Sequence, residues 1–484
     1  MLYYIVYMTP KTDSEIVTYK KIKSEFVDYT RFEDDAQKRA IARDSFINNL
    51  EYVPSYEYPK LDFLIDNEDV NTKKSAIYEA VMELEAAKQQ PGANVAELEL
   101  FAGFHELRLK RIMLVEAARN LQNPVSMSQN EVNRQSFAQL NEILYGKFDT
   151  PCYLGMIDTE KHRLADFVPE SETSSKIKRD LELSLAHIEV SGDREEALLD
   201  EKTLQVLHED VLKRYTDVLS VVPNTPDDVY YDVTQCVDIM NRALEAGGLA
   251  QCGWKAIENP EKSNPSTKQK DSTINLPSNT CRNASELRRL IIHEQEVHAR
   301  RAQNGRDSGL QPIKAGTADY ADVEEGLGVI LECAVDGSLD NPAFDRARNR
   351  YITAGLALGV DGQPRDARET FEILWRLIAV QESDDGEIDD KAIKLAKGTA
   401  YKHIENAYRG TQFWMKGVVY MKIKVYYEGM AKNAEFFKSR IGGLDEAFED
   451  ISIGKYNHTD SAEKALVISA IASQKADNNQ TQQS

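Results

Sequence analysis

The stretch Ile291-Ile292-His293-Glu294-Gln295-Glu296-Val297-His298 puts two imidazoles and a carboxylate on one short segment that reads as helix. Imidazole is a good zinc ligand, and a Glu beside the first ligand is the usual base toward water at zinc. The spacing carries a structural demand. Histidines at i and i+4 lie only about 40° apart around a helix of about 3.6 residues per turn. Here they are i and i+5, about 140° apart on an ideal helix. They can share a metal only if the helix is locally widened. One π-type turn, with its i→i+5 bond, would do that, and such bulges favour functional sites. Two plainer readings stand beside this one. The residues would serve equally as a solvated charged face, or Glu294 and His298 as an i,i+4 surface pair. Short motif matches also arise by chance.

A zinc enzyme needs a third protein ligand and an open position. The acids of Ala318-Asp319-Tyr320-Ala321-Asp322-Val323-Glu324-Glu325-Gly326-Leu327-Gly328 precede and enter an apolar helical run. A second helix crossing the first would project Glu324 or Glu325 at the metal. Alternatively, these acids merely complement a helix dipole.

Together the two segments resemble the tyrosine carboxypeptidase-like zinc metallopeptidases, which include the microtubule-associated tyrosine carboxypeptidases and bacterial proteins with a Gln-Glu-Gly-Leu-Ala motif. The matching residues are His293-Glu294-x-x-x-His298, then Arg301, Asn304 and Gly305, then Ala318-x-Tyr320 and Glu324-Glu325-Gly326-Leu327-Gly328. Tyr408-Arg409-Gly410-Thr411, the Lys416-to-Gly429 stretch and Asn141-to-Gly146 are similar to further elements of that family, so the resemblance spans about residues 130–435. It implies one Zn²⁺ per chain held by His293, His298 and Glu325, with Glu324 as the alternative third ligand, and Glu294 as general base. Gly328 stands where the family usually has Ala. That change is expected to weaken the helix slightly without touching the metal. Gly417 stands where an acid is usual.

The implied reaction is peptide hydrolysis, most readily removal of a C-terminal residue such as Tyr or another aromatic. Glu294 would take a proton from water and pass it to the leaving amine. Tyr401, His403, Arg409 and Tyr420 are candidates to steady the developing oxyanion. A carboxypeptidase also needs a cation for the terminal carboxylate. Arg409 is the first candidate, followed by Lys416 and Arg301, with Tyr420 beside them. Arg409 before Gly410 also reads as an ordinary helix stop. Glu332, Asp322 and Glu296 are available to receive the second N–H of a ligating His. The alternative function is a non-catalytic metal-binding or regulatory module that recognises protein C-termini.

The elements that must position these residues are mostly helical. Periodicity and turn signals predict helices over 71–90, 95–122, 125–145, 174–190, 194–218, 369–380 and 391–408. Phe26, Tyr29 and Phe32 suggest another, ended at Pro54 and Pro59. Short strands are expected at Met1–Met8, 229–231, 253–257 and 273–277, with 258–272 as a polar loop. Thr273–Pro277 is expected at a sheet edge, where a substrate would pair with it. The class is thus α+β and predominantly helical. A helical N-terminal region (1–150), a zinc-peptidase-like catalytic domain (151–472) and a disordered polar tail (473–484) are expected.

Composition sets the frame. The 484 residues, 42% apolar, suffice for a sizeable core, and the net charge is −21. No basic footprint for nucleic acid is present. The charge also argues against a strongly acidic tail as substrate, which separates the chain from the family's tubulin-directed members. The five cysteines are scattered, without Cys-x-x-Cys, as in a reduced cytoplasmic protein. No run approaches a membrane span. The partner expected is a peptide or protein C-terminus, with neither nucleic acid nor membrane.

Overall fold

Several helices begin where the sequence supplies a side-chain cap, as at Asp149, Asp232, Asn283 and Asp366. The computed structural model describes residues 36–49, 52, 67–122, 126–190, 198–260, 262, 264–383 and 385–481. The expected first strand, the Phe26–Phe32 helix and the break at Pro54 and Pro59 lie outside these residues. The described part is predominantly helical with one three-stranded sheet, the α+β class expected. Among the described residues no helix is long and apolar enough to cross a membrane.

Contacts divide the chain into two units. One comprises Met1–Gln89, His105–Glu196 and Asn349–Lys424; the other comprises Gln90–Phe104, Ala197–Arg348 and Val425–Ser484. Residue 150, the boundary expected from sequence, falls inside the first unit. That unit is built from helices that include Asn67–Ala87, Met127–Tyr145, Ala367–Gln381 and Asp390–Ala407. Its core packs Val70 and Ile77 with Ile112, Leu114, Phe137, Met415 and Tyr420. Its helix Thr150–Asp166 was not foreseen, because Pro151 looks like a breaker. Asp149 caps that helix through the Cys152 N–H, and the proline occupies the first turn, where its missing N–H costs nothing.

The second unit holds the His-Glu motif. In chain order its relevant elements are α1 (Val233–Ala246), β1 (Lys255–Glu258), β2 (Ser266–Lys268), β3 (Thr273–Leu276), α2 (Ala284–Leu290), a π-helical segment (Ile291–Ala299), α3 (Arg300–Asp307), α4 (Ala321–Asp336), α5 (Val425–Lys438) and α6 (Leu444–Ser452). Asn283 and Glu286 form a capping box that starts α2. The chain then runs through α2, the π segment and α3 without leaving helical geometry. Val233–Ala246 starts from a second capping box, Asp232 with Gln235. Trp254, Ala256, Ile274 and Leu276 from the sheet region share one core with Ile291, Ala299 and Ala302 of the rod.

The sheet corrects two expectations. Its order is β1-β3-β2, with β1 parallel and β2 antiparallel to β3. Thr273–Leu276 is therefore the central strand, buried along its length, and not the edge. Pro277 follows it and removes no ladder bond. The edge next to the rod is β2, inside the segment expected to be a polar loop. Tyr231 forms only an isolated bridge to Arg282. The last helix, Ser461–Thr481, extends into the polar tail expected to lack structure. Its residues from Ser461 onward include Ala, Leu, Val and Ile, and Val467 and Ala470 are buried.

Helices α4 and α5 cross at glycine. A Cβ on Gly326 would lie 2.0 Å from the carbonyl carbon of Gly429, and one on Gly429 would lie 1.8 Å from Asp322 O. Backbone cannot yield as a flexible side chain can. Gly326→Ala is expected to cost about 3 kcal/mol, the upper range for overpacking a tight site. A urea midpoint equal to the parent's would show that this crossing has slack.

Candidate metal centre

The widened turn that the i,i+5 spacing requires is present. Ile291–Ala299 is π-helical, and the Arg300 N–H donates to Gln295 O, five residues back. The segment is buried at Ile291, Ile292, Glu294, Gln295, Glu296, Val297 and Ala299, while His293 and His298 keep partial exposure. Gln295 Nε2 donates to Ala243 O of α1 at 2.9 Å, and Arg300 Nη2 to Gly247 O at 2.7 Å. These bonds anchor the π segment on the side away from the histidines. The two imidazoles face each other with ring centroids 4.9 Å apart.

Glu325 of α4 completes the group. One ligand atom each from His293, His298 and Glu325 lie within 4.8 Å of one another. Glu324, its neighbour, does not join them. Residues one apart on an α-helix point about 100° apart, and Glu324 turns into the protein, where it is 2% exposed. Its Oε1 accepts from His298 Nδ1 at 2.7 Å and from Lys455 Nζ, and its Oε2 accepts from Arg301 Nη1 at 2.9 Å. Burial works against the charge on Glu324, but Lys455, Arg301 and His298 hold its carboxyl far below the usual carboxylate range.

Both histidines are oriented in the same way. His293 Nδ1 lies 2.7 Å from Glu332 Oε1, as His298 Nδ1 lies from Glu324 Oε1. An ionised carboxylate only accepts, so each Nδ1 carries a hydrogen, and in the neutral ring the lone pair is then on Nε2. That is how metal-ligating histidines are commonly held, and the donor set of two imidazoles and one carboxylate suits zinc. Burial lowers the His293 pKa, but the hydrogen bond and charge of Glu332, then Glu294 and Glu325, carry it up to about 9. Of the acids considered for orienting a histidine, Glu332 does so. Glu296 instead binds Arg300, and Asp322 binds Lys432.

Glu294 lies on the same π segment, 6% exposed. Its Oε2 accepts from Thr267 Oγ1 of the edge strand β2 at 2.7 Å. Gly328 departs from expectation. A Cβ there would stand 2.5 Å from His293 Cε1, so the position is the floor beneath a ligand-forming ring and touches the site directly. Helix propensity alone did not reveal this.

Arg301 is also corrected. It is fully buried and its donors are committed: Nε to Ile451 O at 3.0 Å, Nη1 to Glu324, and Nη2 to Tyr456 O at 2.7 Å. It has no face for a substrate carboxylate. Arg409, Lys416 and Tyr420 belong to the first unit. Arg409 Nη2 donates to Asn406 Oδ1 at 2.7 Å, next to Gly410 at φ 79°. Lys416 pairs with Glu369 at the surface. Tyr420 is buried, with its hydroxyl 3.0 Å from that of Tyr145. Tyr401 and His403 are buried in the same unit. Residues missed in the sequence are Thr267, Lys455 and the pair His458–Asn433, whose ring and amide meet at 2.9 Å.

The two adjacent glutamates should separate cleanly. Glu325→Ala is expected to keep the parent's stability and lose bound metal. Glu324→Ala leaves Lys455 and Arg301 as buried unpaired cations and is expected to cost about 3–5 kcal/mol. Denaturation midpoints and elemental analysis of both variants check this, and the reverse pattern would exchange their roles.

Residues 192–358 match the family model described as microtubule-associated tyrosine carboxypeptidase. No curated protein and no solved structure matches the chain. The matched segment contains His293, Glu294, His298, Glu324 and Glu325, so the chain is similar to that family over its His-Glu helix and the helix crossing it.

Proposed function

We propose that this chain is a zinc-dependent peptidase that removes a C-terminal residue from a peptide or protein. The observation that carries this reading is the π turn. It spends regular helix geometry to bring His293 and His298 together opposite Glu325, with both Nδ1 atoms already engaged by carboxylates. A solvated charged face needs none of this, and the segment is largely buried. The family match supports peptide hydrolysis of the carboxypeptidase type.

Zinc, when bound, would lower the pKa of water at the site toward about 7 and polarise the scissile carbonyl. Glu294 is next to the first ligand and has the reach of a general base. Thr267 holds one of its oxygens, leaving the other to take a proton from water and return it to the leaving amine. The outer edge of β2 has backbone groups that an extended peptide can pair with. Because β2 carries Thr267, such a peptide would run beside the base. The net charge of −21 favours substrates without a strongly acidic tail.

Glu294→Gln tests the reading. The variant is expected to keep about one zinc per chain and to lose turnover of C-terminal peptides by roughly 10²–10⁴-fold, the usual contribution of a general base. Parent-like turnover would remove Glu294 from the chemistry. Zinc binding without turnover in the parent itself would favour a metal-dependent binding module. Thr267→Val is expected to lower kcat and leave zinc content unchanged, whereas loss of zinc would place Thr267 in folding and not in orienting the base.

A further inference from the structure

We propose that Lys455 and Arg301 are positioning residues for the metal ligand His298, acting through the one carboxylate that all three share, Glu324. The inference rests on the zinc reading above and extends it to a stretch of chain beyond the matched residues 192–358.

The geometry is built from several directions. Lys455 follows α6 and is 3% exposed. Its backbone is held on both sides, the N–H by Ile313 O at 2.6 Å and the carbonyl by Thr317 N–H at 3.0 Å. Its ammonium therefore reaches Glu324 from a fixed point. Arg301 comes from the rod itself, one turn beyond His298, and its fork joins Glu324 to Ile451 O and Tyr456 O. Two buried cations thus converge on one buried carboxylate, whose Oε1 takes the His298 Nδ1 hydrogen.

Stability alone is a weak reason for such a cluster. Buried ion pairs are often no better than well-packed apolar residues of similar volume. What the cluster supplies is direction. Glu324 has acceptors on two oxygens, and with three donors fixed around them the carboxylate plane cannot rotate. The His298 ring is then held with Nδ1 on Glu324, in the group it forms with His293 and Glu325. The partner ligand is held differently. Glu332, which engages His293, has Arg346 only at 3.9 Å, and that arginine side chain is 53% exposed. The two halves of the centre are unequal, and the His298 half is the pre-set one.

Lys455→Met in the full chain, with Lys455→Arg and Arg346→Met beside it, tests the proposal by zinc titration against a competing chelator. Zinc affinity is expected to fall about 10–100-fold in Lys455→Met, the usual loss on removing support behind a ligand. Lys455→Arg should recover most of it, and Arg346→Met should stay within about twofold, as exposed pairs contribute little. Parent-like affinity in a folded Lys455→Met overturns the proposal, as does an equal loss in Arg346→Met. If Lys455→Met does not fold, ¹⁵N-histidine spectra of the metal-free parent decide, with the His298 signals assigned from His298→Gln. Hydrogen on Nδ1 is expected, and hydrogen on Nε2 overturns the proposal. No zinc binding by the parent would remove the zinc reading itself, and this inference with it.

Discussion

Residues five apart do not share a face of an α-helix, and everything at the candidate centre depends on how this chain escapes that rule. The escape is one π-helical stretch, Ile291–Ala299, inserted between two ordinary helical pieces. A π turn is less favourable than the α turn it replaces. Gln295 and Arg300 anchor it to α1 and Gly247. Its apolar side shares a core with the sheet. The same widened stretch delivers Glu294 to the edge strand, where Thr267 meets it. His293, His298, Glu294 and the edge strand are thus brought together by one local change in helical pitch.

Close approach of α4 to its neighbours follows from small residues. Glu325-Gly326-Leu327-Gly328 alternates a functional or apolar side chain with a glycine. Gly326 lets α5 cross against the backbone of α4, and Gly328 lets the His293 ring lie against that same helix. Neither contact tolerates a methyl group without movement of backbone or ring. The two glycines act on different sides, one setting the distance between helices and the other the depth of an imidazole.

How much of this was legible in the sequence follows from range. The His-Glu spacing announced both a metal-type motif and the π turn, since both are local. The choice between Glu324 and Glu325 could not come from the residues alone, because two adjacent acids on one helix differ only in what lies around them. Strand β2 was hidden in Ser266-Thr267-Lys268, three residues in a polar stretch without apolar alternation. It exists because β3 offers it an edge to pair with. Thr273–Leu276 was recognised as a strand, yet its alternation of polar and apolar residues and the following Pro277 did not reveal that it lies in the middle of a sheet. Lys455 was invisible for the plainest reason. It lies 131 residues from Glu324, and a lysine between Gly and Tyr has no pattern to mark it.

Charge explains why the pieces are coherent. Four carboxylates, Glu294, Glu324, Glu325 and Glu332, gather about two imidazoles. Lys455 and Arg301 compensate Glu324 from behind, inside the protein. Glu325 meets the two rings, with one ligand atom of each of the three residues within 4.8 Å of the others. Burial lowers the His293 pKa, and the neighbouring acids raise it overall. If a dication is bound, both rings and Glu325 are the residues that would hold it. The interior cations therefore do more than balance a buried acid. They fix the carboxylate that receives the His298 Nδ1 hydrogen.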